Sequence, residues 1–140
     1  MRTWLIDTAL FSTLAPASSQ KSGLRHWLEA HREPVFLSAV SLVEIEAAIG
    51  RVPASQPART SALRNWLDSL LSTFRDRIHP VDAAVAVRAG RLLPLCHAGL
   101  ARHRFHDGVL VATAQVHGHA LLSKRDAVFG AWTKVVLASP

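Results

Sequence analysis

The sequence predicts an α/β domain of three layers, α/β/α, around a central mostly parallel sheet. Two patterns carry that reading. Short apolar runs of strand length, Thr3-Trp4-Leu5-Ile6-Asp7, Val35-Phe36-Leu37-Ser38-Ala39 and His119-Ala120-Leu121-Leu122-Ser123, alternate with stretches of helical period. That alternation favours a parallel sheet sandwiched between helices. Four carboxylates far apart in the chain, Asp7, Glu44, Asp107 and Asp126, also fall where such a sheet delivers residues to one edge. At 140 residues with 49% hydrophobic side chains, the chain suffices for one domain, residues 1–140, and is too short for two.

The elements follow in order. The first strand ends at Asp7, and Leu24, Trp27 and Leu28 then repeat at helical spacing. The second strand, residues 35–39, leads into a helix that carries Glu44 just inside its start. Residues 50–57 hold a glycine and two prolines with serine and glutamine, the signature of a loop and not of a domain boundary. Leu63, Trp66, Leu67, Leu70, Leu71 and Phe74 mark an amphipathic helix, and Arg77-Ile78-His79 is a weak further strand. Asp82 is the expected N-cap of a long helix whose Val85, Leu92, Leu93 and Cys96 share a face. Asp107 opens a small-residue helix over residues 108–116, which runs into the strand at residues 119–123. Lys134-Val135-Val136-Leu137 reads as a last, buried strand. Trp4, Trp27 and Trp66 are packing residues, and Trp132 is unassigned.

Asp7 and Glu44 follow strands, so both belong at the carboxyl ends of the sheet. A helix that precedes a parallel strand runs back against it, which brings its first turn, with Asp107, to the same edge. Asp126 lies just beyond the third strand. In open parallel sheets that edge is where ligands bind. Each acid also has a purely structural reading: a strand-end turn for Asp7, an N-cap for Asp107 and a surface turn for Asp126. Ser41-Leu42-Val43-Glu44 fits a capping box with Ser41 as the N-cap. Four such acids at one edge favour a shared cause, the layout of a metal-dependent phosphodiesterase.

The formal charge is +6, from 16 Lys/Arg against 10 Asp/Glu. A basic exterior around an acidic pocket suits a polyanionic substrate. Arg102-His103-Arg104, which leads into Asp107, and the pair Lys124 and Arg125 are candidate phosphate contacts. The single cysteine, Cys96, excludes an internal disulfide and fits a reducing, cytoplasmic setting. The first ten residues lack a secretory pattern, and no apolar stretch approaches the roughly 18 residues of a membrane span. Eight histidines include His103 with His106, and His117 with His119, but no set completes a zinc spacing. His106, beside Asp107, is a surface histidine within reach of a substrate phosphate.

Leu5-Ile6-Asp7-Thr8, Ser38-Ala39-Val40-Ser41-Leu42-Val43-Glu44-Ile45-Glu46 and His106-Asp107-Gly108-Val109-Leu110-Val111-Ala112-Thr113-Ala114, with His117-Gly118 downstream, resemble the blocks of the PIN-domain ribonucleases. The nearest resemblance is to the VapC-like toxins of prokaryotic toxin-antitoxin pairs, and it covers essentially the whole chain. It implies a single PIN-like domain and a Mg²⁺-dependent endoribonuclease, with Mn²⁺ as a substitute. Asp7, Glu44 and Asp107, with Asp126 as the fourth, would be both the catalytic set and the ligands of one or two ions. Hard oxygen donors suit Mg²⁺, which keeps several waters and so leaves room for substrate and nucleophile. The resemblance further implies an RNA substrate, a small antitoxin that blocks the site, and a homodimer or toxin-antitoxin hetero-oligomer. Apolar residues on the Leu24 and Leu63 helices would contribute to such an interface.

Two blocks depart from the family pattern. The first normally reads Asp-Thr-Asn, and here Ala9 takes the Asn position. The last normally reads Thr-Arg followed by Asp or Asn, then an Asp-Phe pair; here it reads Ser123-Lys124-Arg125-Asp126-Ala127-Val128-Phe129. Either Lys124 stands for the threonine, or Ser123 does with a one-residue shift, and Val128 replaces the later Asp. The alternative function is a catalytically degenerate PIN-like module that binds RNA or a protein partner. A phospho-accepting receiver domain fits less well, because Asp7 stands alone where that fold wants an acidic pair.

Overall fold

A computed structural model describes residues 2–19, 23–95, 104–125, 129 and 137–138. Its strands are β1 (Trp4–Ile6), β2 (Val35–Ser38), β3 (Ile78–His79), β4 (Ala120–Leu122) and β5 (Leu137–Ala138). All are parallel, in the order β3-β2-β1-β4-β5. Every residue of β1 and β4 is buried, as strands covered on both faces require. The expected fold class, three layers with a central parallel sheet, is what the chain forms.

Alternation along the strands assigns each helix to a layer. Leu5 faces one side, with Val85, Ala89 and Leu92 of α5 (Ala83–Leu92) and Val109 to Ala112 of α6 (Arg104–His117). Trp4 and Ile6 face the other. There they meet Leu10 and Phe11 of α1 (Thr8–Phe11), Leu24 of α2 (Leu24–Ala30), Ile45 and Ile49 of α3 (Ala39–Gly50), and Leu67 and Leu70 of α4 (Pro57–Thr73). Trp4 meets Trp27 edge-on at 5.3 Å, and Phe11 lies 5.7 Å from Trp66, so the three assigned tryptophans do pack.

The chain winds outward from β1 through β2 to β3, then returns through α5 and α6 to β4 on the other side of β1. Strand order therefore reverses between β1 and β4. Parallel strands leave a crevice at the carboxyl end of such a switch point. Gly118, at φ +71°, ends α6 in a left-handed turn that lets the His119 N–H bond the Ala114 carbonyl at 2.8 Å and starts β4.

Several expectations need correction. Helix α3 starts at Ala39 and is capped by Ser38, whose Oγ accepts from the Val40 N–H at 3.2 Å. Ser41 is therefore inside the helix, and the Ser41–Glu44 capping box does not form. Asp107 is not an N-cap, because α6 begins three residues earlier and places it in the first turn. Leu24 is fully buried and Leu63 half-buried against the core, while Leu71 on the same helix as Leu63 is exposed. Asp82 does cap α5, accepting from the Val85 N–H at 3.0 Å. Cys96, Arg102, His103, Asp126, Val128, Trp132 and residues 134–136 lie outside the described residues.

Candidate active site at the carboxyl edge of the sheet

Asp7 leaves β1 at the switch point, where its N–H donates to the Leu122 carbonyl of β4 at 2.9 Å. Its residue is fully buried, so its carboxylate needs partners from the fold. The Ser123 hydroxyl donates to Oδ2 at 2.8 Å, and the Ala9 N–H reaches Oδ1 at 3.4 Å as α1 begins. Arg125 supplies the rest. Its Nε donates to Asp7 Oδ2 at 2.8 Å and its Nη2 to Asp7 Oδ1 at 2.7 Å.

The same guanidinium turns its other edge to Asp107, with Nη2 to Oδ1 at 2.7 Å and Nη1 to Oδ2 at 3.3 Å. Asp107 is 5% exposed, held at the edge by the start of α6. Arg125 thus forks both aspartates, the arrangement that its planar donors favour. Burial alone would lower the Arg125 pKa, but the hydrogen bonds and charges of Asp7 and Asp107 outweigh it and raise the value.

Glu44 completes the acidic group from α3. Thr8 Oγ1 lies 2.9 Å from Glu44 Oε1 and 2.7 Å from Ser41 Oγ. Thr8 is the donor in both contacts, so its one hydroxyl proton is shared between Glu44 and Ser41. Burial raises the Glu44 pKa, the charges of Asp107 and Asp7 raise it further, and the Thr8 hydrogen bond and His106 oppose the rise. A cavity of about 290 Å³ opens beside it, lined among others by Thr8, Ala9, Glu44, Arg51, His106 and Arg125.

The structure therefore brings Asp7, Glu44 and Asp107 to one edge, as expected, while Asp126 lies outside the described residues. His106 lines the cavity beside Glu44. The residues that support these acids, Thr8, Ser41, Ser123 and above all Arg125, carry no such signal in the sequence, where Arg125 beside Lys124 points only to a phosphate contact. In the last block, Ser123 is buried against Asp7 and Lys124 is exposed.

Three carboxylates are the hard donors that a divalent ion such as Mg²⁺ takes. In donor chemistry the residues fit such an ion. As they stand, no three His, Cys, Asp or Glu side chains among the described residues are gathered to hold one, and Arg125 occupies two of the acids.

The fold matches several solved structures. The crystal structure of FitAcB from Neisseria gonorrhoeae superposes with a TM-score of 0.77 at 25% identity, over 96% of this chain and 95% of that one. The structure of VapBC2 from Rickettsia felis, bound to a DNA fragment from its promoter, gives 0.68 at 16% identity over 99% and 98%. VapBC-5 from Mycobacterium tuberculosis, of the VapBC family of toxin-antitoxin systems, gives 0.60 at 19% identity over 99% and 98%. No curated protein matches the chain. The PIN domain model matches residues 4–133, a span that holds the whole carboxylate edge and all but the last strand. With that match over the expected fold, the chain belongs to the PIN domain family.

Proposed function

We propose that this protein is the toxin of a toxin-antitoxin pair and acts as a Mg²⁺-dependent endoribonuclease, with Mn²⁺ as a substitute. The observation that carries the reading is the convergence of Asp7, Glu44 and Asp107, from three separate elements, on the switch-point crevice of a PIN fold. These residues, with Asp126 as the fourth, are the proposed ligands. When bound, the ion would supply Lewis-acid activation of water and neutralise charge at the scissile phosphate.

The chain's own residues set the rest. Ser123 and the Ala9 N–H hold the Asp7 carboxylate in orientation, and Thr8 does the same for Glu44. The cavity beside Glu44 admits the phosphate, with Arg51 and His106 on its wall to receive negative charge. Water attack with loss of the 3′ oxygen leaves a 3′-hydroxyl and a 5′-phosphate. A small antitoxin is the proposed partner, in a homodimer or hetero-oligomer, since the structural neighbours include toxin-antitoxin complexes. No helix among the described residues is long and apolar enough to cross a membrane. The cytoplasmic setting we propose draws on the single cysteine, which fits a reducing compartment.

The test is cleavage of total cellular RNA by purified protein with Mg²⁺, with Mn²⁺ and with EDTA, beside Asp107→Asn. Discrete products that require metal and vanish in the variant are expected. A second reading, the degenerate module that binds RNA or protein, draws on Ala9 at the cavity mouth and on Arg125 across two of the acids. No cleavage by a folded, partner-free preparation would favour it.

A further inference from the structure

We infer that Arg125 is a resident counter-ion of the carboxylate group, and that a divalent ion enters this site only by exchange with it. The guanidinium leaves Asp7 and Asp107 as the ion takes their oxygens, and it returns when the ion departs. This deepens the metal-dependent reading above and rests on it.

The contacts leave little room for both cations. Arg125 places a nitrogen on every oxygen of the two aspartates, at 2.8, 2.7, 2.7 and 3.3 Å. Four of its five N–H groups are used in this way. Mg²⁺ binds carboxylate oxygen at about 2.1 Å and tolerates little departure from octahedral geometry. An ion on the same oxygens would lie within roughly 4 Å of the guanidinium, where two like charges repel by several kcal/mol in a partly buried site. One must yield.

The arginine is also placed to yield. Its side chain is 28% exposed, against 1% for that of Asp7 and 6% for that of Asp107. It lines the same cavity as Glu44 and His106, so it can swing into open space without disturbing the sheet. Its resting position is built. The Arg125 N–H donates to Ser123 Oγ at 2.9 Å, and its guanidinium carbon lies 4.7 Å from the ring centre of the buried Phe129. Without a cation the two buried aspartates would face each other unneutralised, which Arg125 prevents. Arg125 thus holds the positive charge at the position between the two acids that an ion would take. The consequence is a site that fills only at a raised divalent concentration.

The experiment is calorimetric titration of Mn²⁺ into the partner-free full chain, as wild type, Arg125→Gln and Arg125→Asn, with folding checked by circular dichroism. The variants should bind Mn²⁺ at least about tenfold more tightly than the wild type. In parallel, the Arg125 Nε–H resonance of the wild type should shift and lose protection as Mg²⁺ is added. Equal affinities in wild type and variants would overturn the exchange and leave the metal reading standing. Weaker binding in the variants would overturn it by making Arg125 a supporting residue of the site. No Mn²⁺ binding by any folded form would sink the exchange and the metal-dependent reading together. Should both variants fail to fold, an unmoved Arg125 signal at saturating Mg²⁺ in the wild type would itself overturn the inference.

Discussion

Thr8 fixes the position of Glu44, because its one hydroxyl proton is shared between that carboxylate and the oxygen of Ser41. Thr8→Val keeps the shape and removes both contacts. The Ser41 hydroxyl, 1% exposed, then loses its partner, and a buried polar group left unsatisfied costs about 1–3 kcal/mol. A urea midpoint lowered by that amount is expected, with Thr8→Ser close to wild type. A Thr8→Val protein as stable as wild type would show that water replaces the contact. The acids themselves were legible, since each sits at a fixed offset from a strand or helix start. Their partner was not. Arg125 and Asp7 are 118 residues apart, and no local pattern announces a charge pair over that distance. Both Ser38 and Ser41 precede apolar residues, and only backbone geometry tells which serine caps α3.

At the scale of elements, a helix was readable when it was long enough to repeat its apolar face. The 17 residues of α4 show that period plainly, and the buried Leu67 and Leu70 lie on the face it predicts. The four residues of α1 cannot show one, so it escaped notice although Asp7 caps it. Caps are the second legible signal, and Asp82 is the clean case. Its carboxylate satisfies the Val85 N–H at the start of α5, and α5 packs along α6, which carries Asp107. Asp82→Ala should therefore cost about 1 kcal/mol in denaturant unfolding. Asp82→Asn, which keeps the acceptor, should cost only a few tenths. Equal losses for the two would mean that charge and not the hydrogen bond supports this helix.

The whole molecule places a second group of titratable rings at the opposite end of α6 from Asp107, about 15 Å away along the helix. His79 Nε2 lies 2.7 Å from His119 Nε2, His117 stacks on His79 at 3.7 Å, and Phe36 lies under both His79 and His119. Two facing ring nitrogens make one hydrogen bond only while one of them stays unprotonated. Burial, then the charges of His79 and His117, lower the His119 pKa to about 4, and burial with His117 lowers that of His79, against a raising effect of Asp82. In the unfolded chain these rings titrate near the ordinary value of about 6.5. Between those values the unfolded state binds more protons, so stability is full above about pH 6.5 and falls as pH drops toward 4. Glu44 acts with the opposite sign, because its raised pKa favours the folded state as it protonates. A comparison with His119→Gln separates the two, since Glu44 is common to both proteins. Both rings are partly exposed, so solvent screening reduces the effect to about 1 kcal/mol. The urea midpoint of the wild type should fall relative to that of His119→Gln as pH goes from 7 to 4.5. Parallel curves for the two proteins would show that His119 titrates alike in the folded and unfolded chain.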